Sequence, residues 1–206
     1  MSADTITGFV GIVVQPDAVT IVEAYELAAA LLPEDAEQVL TPGALPHVTL
    51  TQCAVRDAPR ARLKTLIARL DGLLAGRALP LKSVVPFPGG FLFWCVDPAA
   101  PERELIQSAH EHALTLADGV LDEVANEAVI AGTARATGND RRLVDNARRF
   151  GYAFIKDRYL PHITLGFDPR TVPSFAPQDR PHRMTIERVV LARLGRLGRV
   201  ETILAL

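Results

Sequence analysis

Two segments of nearly identical sequence lie about half a chain length apart, PHVTL at 46–50 and PHITL at 161–165. In each segment polar and apolar residues alternate, which is typical of a half-buried β-strand. Because successive side chains of a strand point to opposite faces, the histidine and the threonine of each copy share one face. The apolar residues between them belong in a core, so the polar face looks onto a cleft or onto solvent. The residues of that polar face are His47, Thr49, His162 and Thr164.

The rest of the chain predicts a mixture of strands and helices. Short apolar runs bounded by turn formers predict strands at 8–14, 47–55, 79–85, 91–97 and 162–168, and two more within 183–206. Apolar residues at helical spacing predict helices at 17–32, 59–76, 101–124 and 141–150. The segment 125–140 has weak periodicity and is expected to be a long loop or a frayed helix, and 169–181 is expected to be a Pro-rich connector. Hairpins without strict strand–helix alternation favour an α+β fold with antiparallel sheet over a doubly wound parallel fold.

The length, composition and charge of the chain indicate which classes of protein it can belong to. The chain has 206 residues, of which 49% are hydrophobic, and this is enough for a sizeable core in one domain or in two closely joined lobes. Charged residues make up 22%, which is typical of a soluble globular protein. The formal net charge is −2, so no overall basic excess favours wrapping of duplex nucleic acid.

The cysteines and the N-terminal segment predict a location. Cys53 and Cys95 lie in apolar, strand-like runs without metal-ligand spacing, so we expect buried thiols in a reducing compartment. The first 14 residues include Asp4 and lack the basic start of a secretion signal. No stretch approaches the ~20 uncharged apolar residues of a membrane span. We therefore expect a cytoplasmic protein without a membrane partner.

The paired histidines and threonines suit the chemistry of a phosphodiester. An imidazole has an unperturbed pKa of about 6.5, so it can give or take a proton near neutral pH. If the two copies face each other, one neutral histidine can remove a proton from the attacking hydroxyl or water, and the other, protonated, can donate to the leaving oxygen. The two threonine hydroxyls can hold the non-bridging oxygens. This chemistry needs neither a metal nor another cofactor.

The segments HVTL and HITL resemble the paired His-x-Thr-x motifs of the 2H phosphoesterase superfamily, and of its 2′-5′ RNA ligase and RNA 2′,3′-cyclic phosphodiesterase group in particular. The order of elements follows the family loosely over nearly the whole chain. It includes the first strand, the hairpin LKSVVPFPGGFLFWCVD with the helix after it, and the final ERVVLARLGRLGRVETIL. Only the motif pair is specific.

The resemblance implies a fold and an activity. It implies a single bilobal domain over 1–206, with two antiparallel-sheet lobes and flanking helices related by pseudo-twofold symmetry and an active-site groove between them. His47 and Thr49 match the first motif, and His162 and Thr164 match the second. The implied reaction is metal-independent opening of 2′,3′-cyclic or related phosphates on RNA ends or small cyclic nucleotides, by a protein that we expect to be a monomer. Two alternatives stay open: 2′-5′ RNA ligation, and a non-catalytic module that binds nucleotides or RNA.

The segment 135–158 is the most basic part of the chain, with seven basic and three acidic residues. One interpretation is a lid beside the second motif, in which Arg148 and Arg149 grip phosphate while Tyr152 and Tyr159 stack on a base. The alternative is a solvated, ion-paired helix whose aromatic residues pack in the core or at its rim.

Two further motifs are interpreted as structural. His110 and His112 resemble a metal pair, but residues two apart on a helix do not share a face. With no third ligand evident, we expect them to be a surface feature. The segment GRLGR at 195–199 lacks the strand before it and the helix after it that a phosphate-binding loop needs, so it predicts a turn.

Overall fold

The computed structural model describes residues 4–36, 40 and 43–206. Its strands are β1 Thr5–Pro16, β2 Val48–Pro59, β3 Ala78–Phe87, β4 Phe91–Val96, β5 His162–Phe167, β6 Gln178–Leu194 and β7 Val200–Ile203. Its α-helices are α1 Ala18–Leu31, α2 Arg60–Leu74, α3 Glu102–Ala113, α4 Glu123–Ala136 and α5 Arg141–Phe150. Four short 3₁₀ helices lie at Leu114–Ala117, Lys156–Arg158, Val172–Ser174 and Arg196–Gly198. This mixture confirms the α+β prediction.

The strands form one antiparallel sheet in the order β1-β2-β5-β4-β3-β6-β7. The long strand β6 pairs with β3 through residues 178–185, with β1 through residues 186–193 and with β7 through residues 192–194. The strands therefore divide into two groups that share β6. We name β2, β1, the second half of β6 and β7 the first lobe, and β5, β4, β3 and the first half of β6 the second lobe. The predicted two antiparallel-sheet lobes are present, and hydrogen bonds continue from one lobe to the other.

The lobes meet a second time at the two motif strands. There β2 pairs with β5 through Val48 and Ile163, which are the apolar residues directly after the two histidines. The largest buried apolar cluster draws residues from both lobes, among them Ile12, Leu50, Leu92, Trp94, Leu165 and Leu191. The order of strands thus brings together two segments that are far apart in the chain and places a common core behind them.

Helix α4 corrects the prediction for 125–140. The segment is helical as far as Ala136, and the side chain of Asp122 caps its first turn by accepting a hydrogen bond from the Ala125 N–H at 3.1 Å. The alanines of this segment have a high helix propensity. Small residues nevertheless give little of the apolar periodicity by which a helix is recognised in a sequence. The helix is stabilised by an apolar cluster that it forms with α5 and the residues directly after α5. The cluster contains Val129, Ile130, Leu143, Ala147 and Ala153.

Gly151 ends α5 at the place where this helix approaches β2. Its φ is 70°, in the left-handed region that favours glycine. A Cβ at this position would lie 2.3 Å from Cys53 Cβ, far inside van der Waals contact. The glycine therefore permits both the end of the helix and its close approach to β2.

The two cysteines are buried and free, as expected. Burial raises the pKa of each thiol to about 12, so both stay protonated at neutral pH. In the part of the chain that the structure describes, no helix combines the length and the apolar character needed to cross a membrane.

Candidate active site

Each motif histidine is held by the main chain directly before its strand. His47 Nδ1 lies 2.7 Å from the carbonyl oxygen of Leu45, and His162 Nδ1 lies 2.6 Å from that of Leu160. Because a carbonyl oxygen only accepts hydrogen bonds, these partners assign the proton to Nδ1 in both neutral rings. Nε2 is then the nitrogen with a free lone pair, and this is the atom available to take a proton.

A proline stands between each histidine and the carbonyl that it binds. Pro46 follows Leu45 and Pro161 follows Leu160, so the repeat extends to six residues, LPHVTL and LPHITL. Proline fixes its own φ near about −65° and restricts the preceding residue to extended conformations. The short step from carbonyl to imidazole is therefore held in one conformation, which explains why both copies contain the proline.

The pairing of β2 with β5 places the two motifs on one surface. Val48 and Ile163 are direct antiparallel partners, so their side chains share a face, which is the core face. Neighbouring residues point the other way. Across the strand pair this places His47 opposite Thr164 and Thr49 opposite His162. The two imidazoles thus lie at opposite corners of a four-residue cluster, where a positive charge on His47 lowers the pKa of His162.

Each motif also carries a β-bulge at its final leucine. Leu50 is an extra residue of β2, because it lies between the partners of two consecutive residues of β1. In the same way, Leu165 is an extra residue of β5 between the partners of two consecutive residues of β4. Bulges are common beside active sites, where they bend a strand and re-aim a side chain. The equivalent position of the two bulges extends the internal symmetry beyond the repeated sequence.

Burial keeps both histidines uncharged near neutral pH. It lowers the pKa of His162 to about 4, with a further lowering from the charge of His47, while the hydrogen bond to Leu160 opposes the effect. The pKa of His47 is also lowered by burial, and its hydrogen bond to Leu45 opposes it. Anionic substrate bound between the rings would favour the protonated form of either one.

The threonines complete the polar surface. Thr49 and Thr164 are both half-buried, and within the described residues neither hydroxyl makes a hydrogen bond to a protein group. Each hydroxyl can therefore donate to an oxygen of a bound molecule. The arrangement offers two proton-transfer groups and two neutral donors on one face of the strand pair.

An aromatic wall beside His162 was not predicted from the sequence. The ring of Phe93 stacks on the imidazole of His162 with the centroids 3.5 Å apart and the planes at 19°. Further rings continue the wall through contacts with Phe93 or with one another: Phe87, Phe91, Phe154 and Phe167. The alternation in FLFWC, which puts Phe91 and Phe93 on the face opposite Trp94, is the signal that could have found it.

The basic segment makes mainly local contacts. Arg148 forms an ion pair with Asp145 at 2.8 Å, and the Arg149 guanidinium lies 5.1 Å from the centre of the Phe150 ring. These contacts fit the ion-paired helix, and the phosphate-gripping lid stays a prediction. Tyr152 is half-buried at the far end of the aromatic wall, 6.5 Å from the ring of Phe154.

The structure decides between the two interpretations of Tyr159 in favour of core packing. Its side chain is 3% exposed, and one ring face lies parallel to the buried ring of His110 at 3.9 Å. Because the ring is enclosed in the core, it cannot stack on a base of a bound nucleotide. Its hydroxyl instead donates to the carbonyl oxygen of Thr49 at 2.9 Å.

The structure also corrects the prediction that His110 and His112 are both surface residues. His112 is exposed, but His110 is fully buried, so only one of the two is a surface residue. The spacing argument that separates them onto different faces of α3 holds, but their partners could not be read from the helix pattern. Within the described residues, no group of three or more His, Cys, Asp or Glu side chains is placed to hold a metal ion.

The segment 195–199 forms the predicted turn, with a short 3₁₀ helix between β6 and β7.

Comparison with known proteins supports the fold. No protein-family model matches the chain, and no curated protein matches it. Among solved structures, the chain is similar to the crystal structure of TT0787 of Thermus thermophilus, with a TM-score of 0.60 and 20% sequence identity over 96% of this chain and 95% of that chain. At this identity the likeness concerns the fold alone, over nearly the whole length of both chains.

Proposed function

We propose that the chain is a metal-independent phosphoesterase that opens 2′,3′-cyclic phosphates of RNA ends or small nucleotides. One observation carries the proposal: two copies of Leu-Pro-His-x-Thr-Leu hold their imidazoles in the same tautomer and on the same face of two paired strands. The fold alone is compatible with many activities. A matched pair of imidazoles with threonines between them is suited to proton transfer at both ends of a phosphodiester displacement.

In the proposed reaction, the oxygen of a water molecule attacks the phosphorus of the cyclic phosphate. One histidine takes the proton of that water through Nε2, and the other histidine, protonated, donates its proton to the ribose oxygen whose bond to phosphorus breaks. The product carries a 2′- or 3′-phosphate monoester, and the neighbouring ribose hydroxyl is free. Thr49 and Thr164 donate hydrogen bonds to the non-bridging oxygens, where negative charge develops.

The neutral state of both rings in the free protein fits this scheme. Only one of them must be protonated when substrate is bound, and a phosphodiester carries the negative charge that raises the pKa of a neighbouring imidazole. The proton and the anion are therefore expected to bind together. Burial of the rings also strengthens every hydrogen bond that they make to the substrate, because water competes less.

A hydrolysis assay with a chelator present tests the proposal. The substrates are 2′,3′-cyclic nucleotides and RNA with a 2′,3′-cyclic phosphate end, and the variants are His47→Ala and His162→Ala. Each variant is expected to lose about 10²–10⁴-fold in kcat, as is usual for removal of a general acid or base. His112→Ala, which removes an exposed histidine on α3, serves as the control and should retain full activity.

The threonines and the alternatives are tested in the same assay. Thr49→Val and Thr164→Val each remove one donor to the developing charge, and a loss of about 10²-fold in kcat is expected. Full activity of both histidine variants would contradict the proposal. Binding of the nucleotides without turnover would favour a binding module, and joining of a cyclic phosphate end to a 5′-hydroxyl RNA end would favour ligation.

A further inference from the structure

Two buried side chains, His110 and Tyr159, lie directly behind the candidate active site. They are 0% and 3% exposed, and their rings stack in parallel with the centroids 3.9 Å apart. Neither ring lies on the polar face of the motif strands, so neither takes part in the proposed reaction. A buried histidine and a buried tyrosine that use all of their polar atoms need a reason, because such groups are costly to bury.

His110 joins the first motif to the segment that precedes the second. Its Nδ1 lies 2.5 Å from the carbonyl oxygen of Leu50, and its Nε2 accepts a hydrogen bond from the Lys156 N–H at 2.9 Å. Leu50 is the bulge residue of the first motif, whose place outside the β1 register leaves its carbonyl free for this bond. Both ring nitrogens are thus occupied, and burial lowers the pKa of His110 to about 4, which keeps the single neutral tautomer that these bonds require.

Tyr159 makes a second connection between the same two segments. Its hydroxyl donates to the carbonyl oxygen of Thr49, one residue before the bulge. Its main chain leads directly to Leu160, whose carbonyl holds the His162 imidazole. Arg103 donates to the Tyr159 carbonyl oxygen at 2.6 Å and so fixes this short link to α3.

Direct pairing between the two motif strands is limited. Among the described residues, Val48 and Ile163 are the one pair in register between β2 and β5. A single pair restrains the separation and the twist of two strands poorly, whereas the connections through His110 and Tyr159 add fixed points on the other side of the motif. The two carbonyls that they bind, on residues 49 and 50, belong to the first motif itself.

We propose that His110 and Tyr159 are positioning residues, which hold the first motif against residues 156–160 and so set the distance between the His47 and His162 imidazoles. The role of the pair in catalysis rests on the proposed function. Its effect on the distance between the two imidazoles does not. The pair acts through main-chain carbonyls, so its loss should affect the alignment of the imidazoles more than the binding of substrate.

The sharpest test is Tyr159→Phe, which removes one hydroxyl and keeps the ring stacked on His110. The matched control is Thr65→Val, which also removes one hydroxyl that donates to a main-chain carbonyl oxygen, here that of Ala61 on α2 at 3.0 Å. We expect Tyr159→Phe to lower kcat at least about 10-fold with KM within about 2-fold, since misplacement of reacting groups affects the transition state most. Thr65→Val should leave both constants unchanged.

A second measurement does not depend on turnover. The pKa of His162 is measured by NMR titration in the protein with and without His47→Gln. The substitution should raise this pKa, because a positive charge on His47 lowers it. In a Tyr159→Phe background the size of this rise should change, because the distance between the rings has changed, whereas in a Thr65→Val background it should stay the same. An unaltered rise together with an unaltered kcat would overturn the inference. If no cyclic phosphate is cleaved by any form of the protein, the titration still decides whether the pair sets the distance.

Variants of His110 provide a rescue experiment. His110→Gln keeps one donor and one acceptor in the side chain, whereas His110→Leu keeps neither. We expect the glutamine variant to retain more kcat than the leucine variant and to retain more of the coupling between His47 and His162. Equal kcat and equal coupling in the two variants would overturn the role of the hydrogen bonds of His110.

Discussion

Replacement of Phe93 by alanine tests what sets the protonation state of His162. The Phe93 ring covers one face of the imidazole at 3.5 Å and is itself only 6% exposed. The pKa of His162 is lowered from 6.5 to about 4, chiefly by burial, with the Leu160 hydrogen bond opposing and His47 adding a smaller lowering; the net shift corresponds to roughly 3 kcal/mol at ~1.36 kcal/mol per pKa unit. An aromatic face also attracts a cation, but at a partly exposed site by only about 0.5–1 kcal/mol. The burial effect is the larger, so removal of the ring should raise the pKa.

We expect the alanine variant to raise the pKa of His162 toward its ordinary value, because water then reaches the exposed ring face. The measurement is an NMR titration of the histidine side chains. Loss of the ring should also lower the free energy of unfolding by about 3 kcal/mol, as for other buried phenylalanines. Thermal unfolding therefore has to confirm that the variant is folded at the temperature of the titration. Phe91→Ala is the matched control, since Phe91 contacts Phe93 and Phe167 but not His162.

The same variant assigns the roles of the two histidines. The acidic limb of the pH profile of kcat/KM reports the pKa of the base in the free enzyme, and the alkaline limb reports that of the acid. If the acidic limb moves upward in Phe93→Ala, His162 is the base, and if the alkaline limb moves, His162 is the acid. A pKa of His162 that stays near 4 in Phe93→Ala, or that rises equally in Phe91→Ala, would refute the account of its environment.

Three further predictions concern stability and the basic segment. The folded-state pKa values of His47, His110 and His162 lie below the unfolded value, so the unfolded chain binds more protons as the pH falls below about 6.5. Urea unfolding should therefore show stability that is full above this pH and is lost as the pH falls toward 4, with His110 alone contributing on the order of 3 kcal/mol; equal stability at pH 7 and pH 4.5 would contradict this. Gly151→Ala should lower the free energy of unfolding by several kcal/mol more than Gly138→Ala, because both glycines have positive φ but only Gly151 has Cys53 in the place of a Cβ; a similar loss in both variants would exclude the close approach as the cause. If the lid prediction is right, Arg148→Ala with Arg149→Ala should raise KM for a cyclic nucleotide, and an unchanged KM would remove the lid from the account.

Strands and most helices could be predicted from the sequence because they depend on local periodicity. Helix α5 begins and ends at the predicted residues 141 and 150, and β5 ends one residue before the predicted 168. Helix α4 was expected as a loop or a frayed helix because its small residues give no apolar stripe, and Asn126 is its only buried residue. Its position depends on packing against α5, which the sequence does not show.

The four residues of the candidate site could be proposed from the sequence, but the groups that support them could not. Repetition singled out His47 and His162, and strand alternation added the two threonines. The proximity of the two motifs depends on β2 pairing with β5, a long-range contact that no local pattern encodes. His110 was expected at the surface, and the sequence could not decide between base stacking and core packing for Tyr159, because their partners, the carbonyls of Leu50 and Thr49, come from a distant strand.

A double-mutant cycle tests most directly whether His47 and His162 form the two halves of one active site. The rate of hydrolysis of a 2′,3′-cyclic nucleotide is measured, with a chelator present, for the unaltered protein, His47→Ala, His162→Ala and the double variant. Groups that act as a unit show strongly non-additive losses. We predict that the double variant is about as slow as the slower single variant. Full activity of either single variant, or losses that multiply in the double variant, would contradict the account.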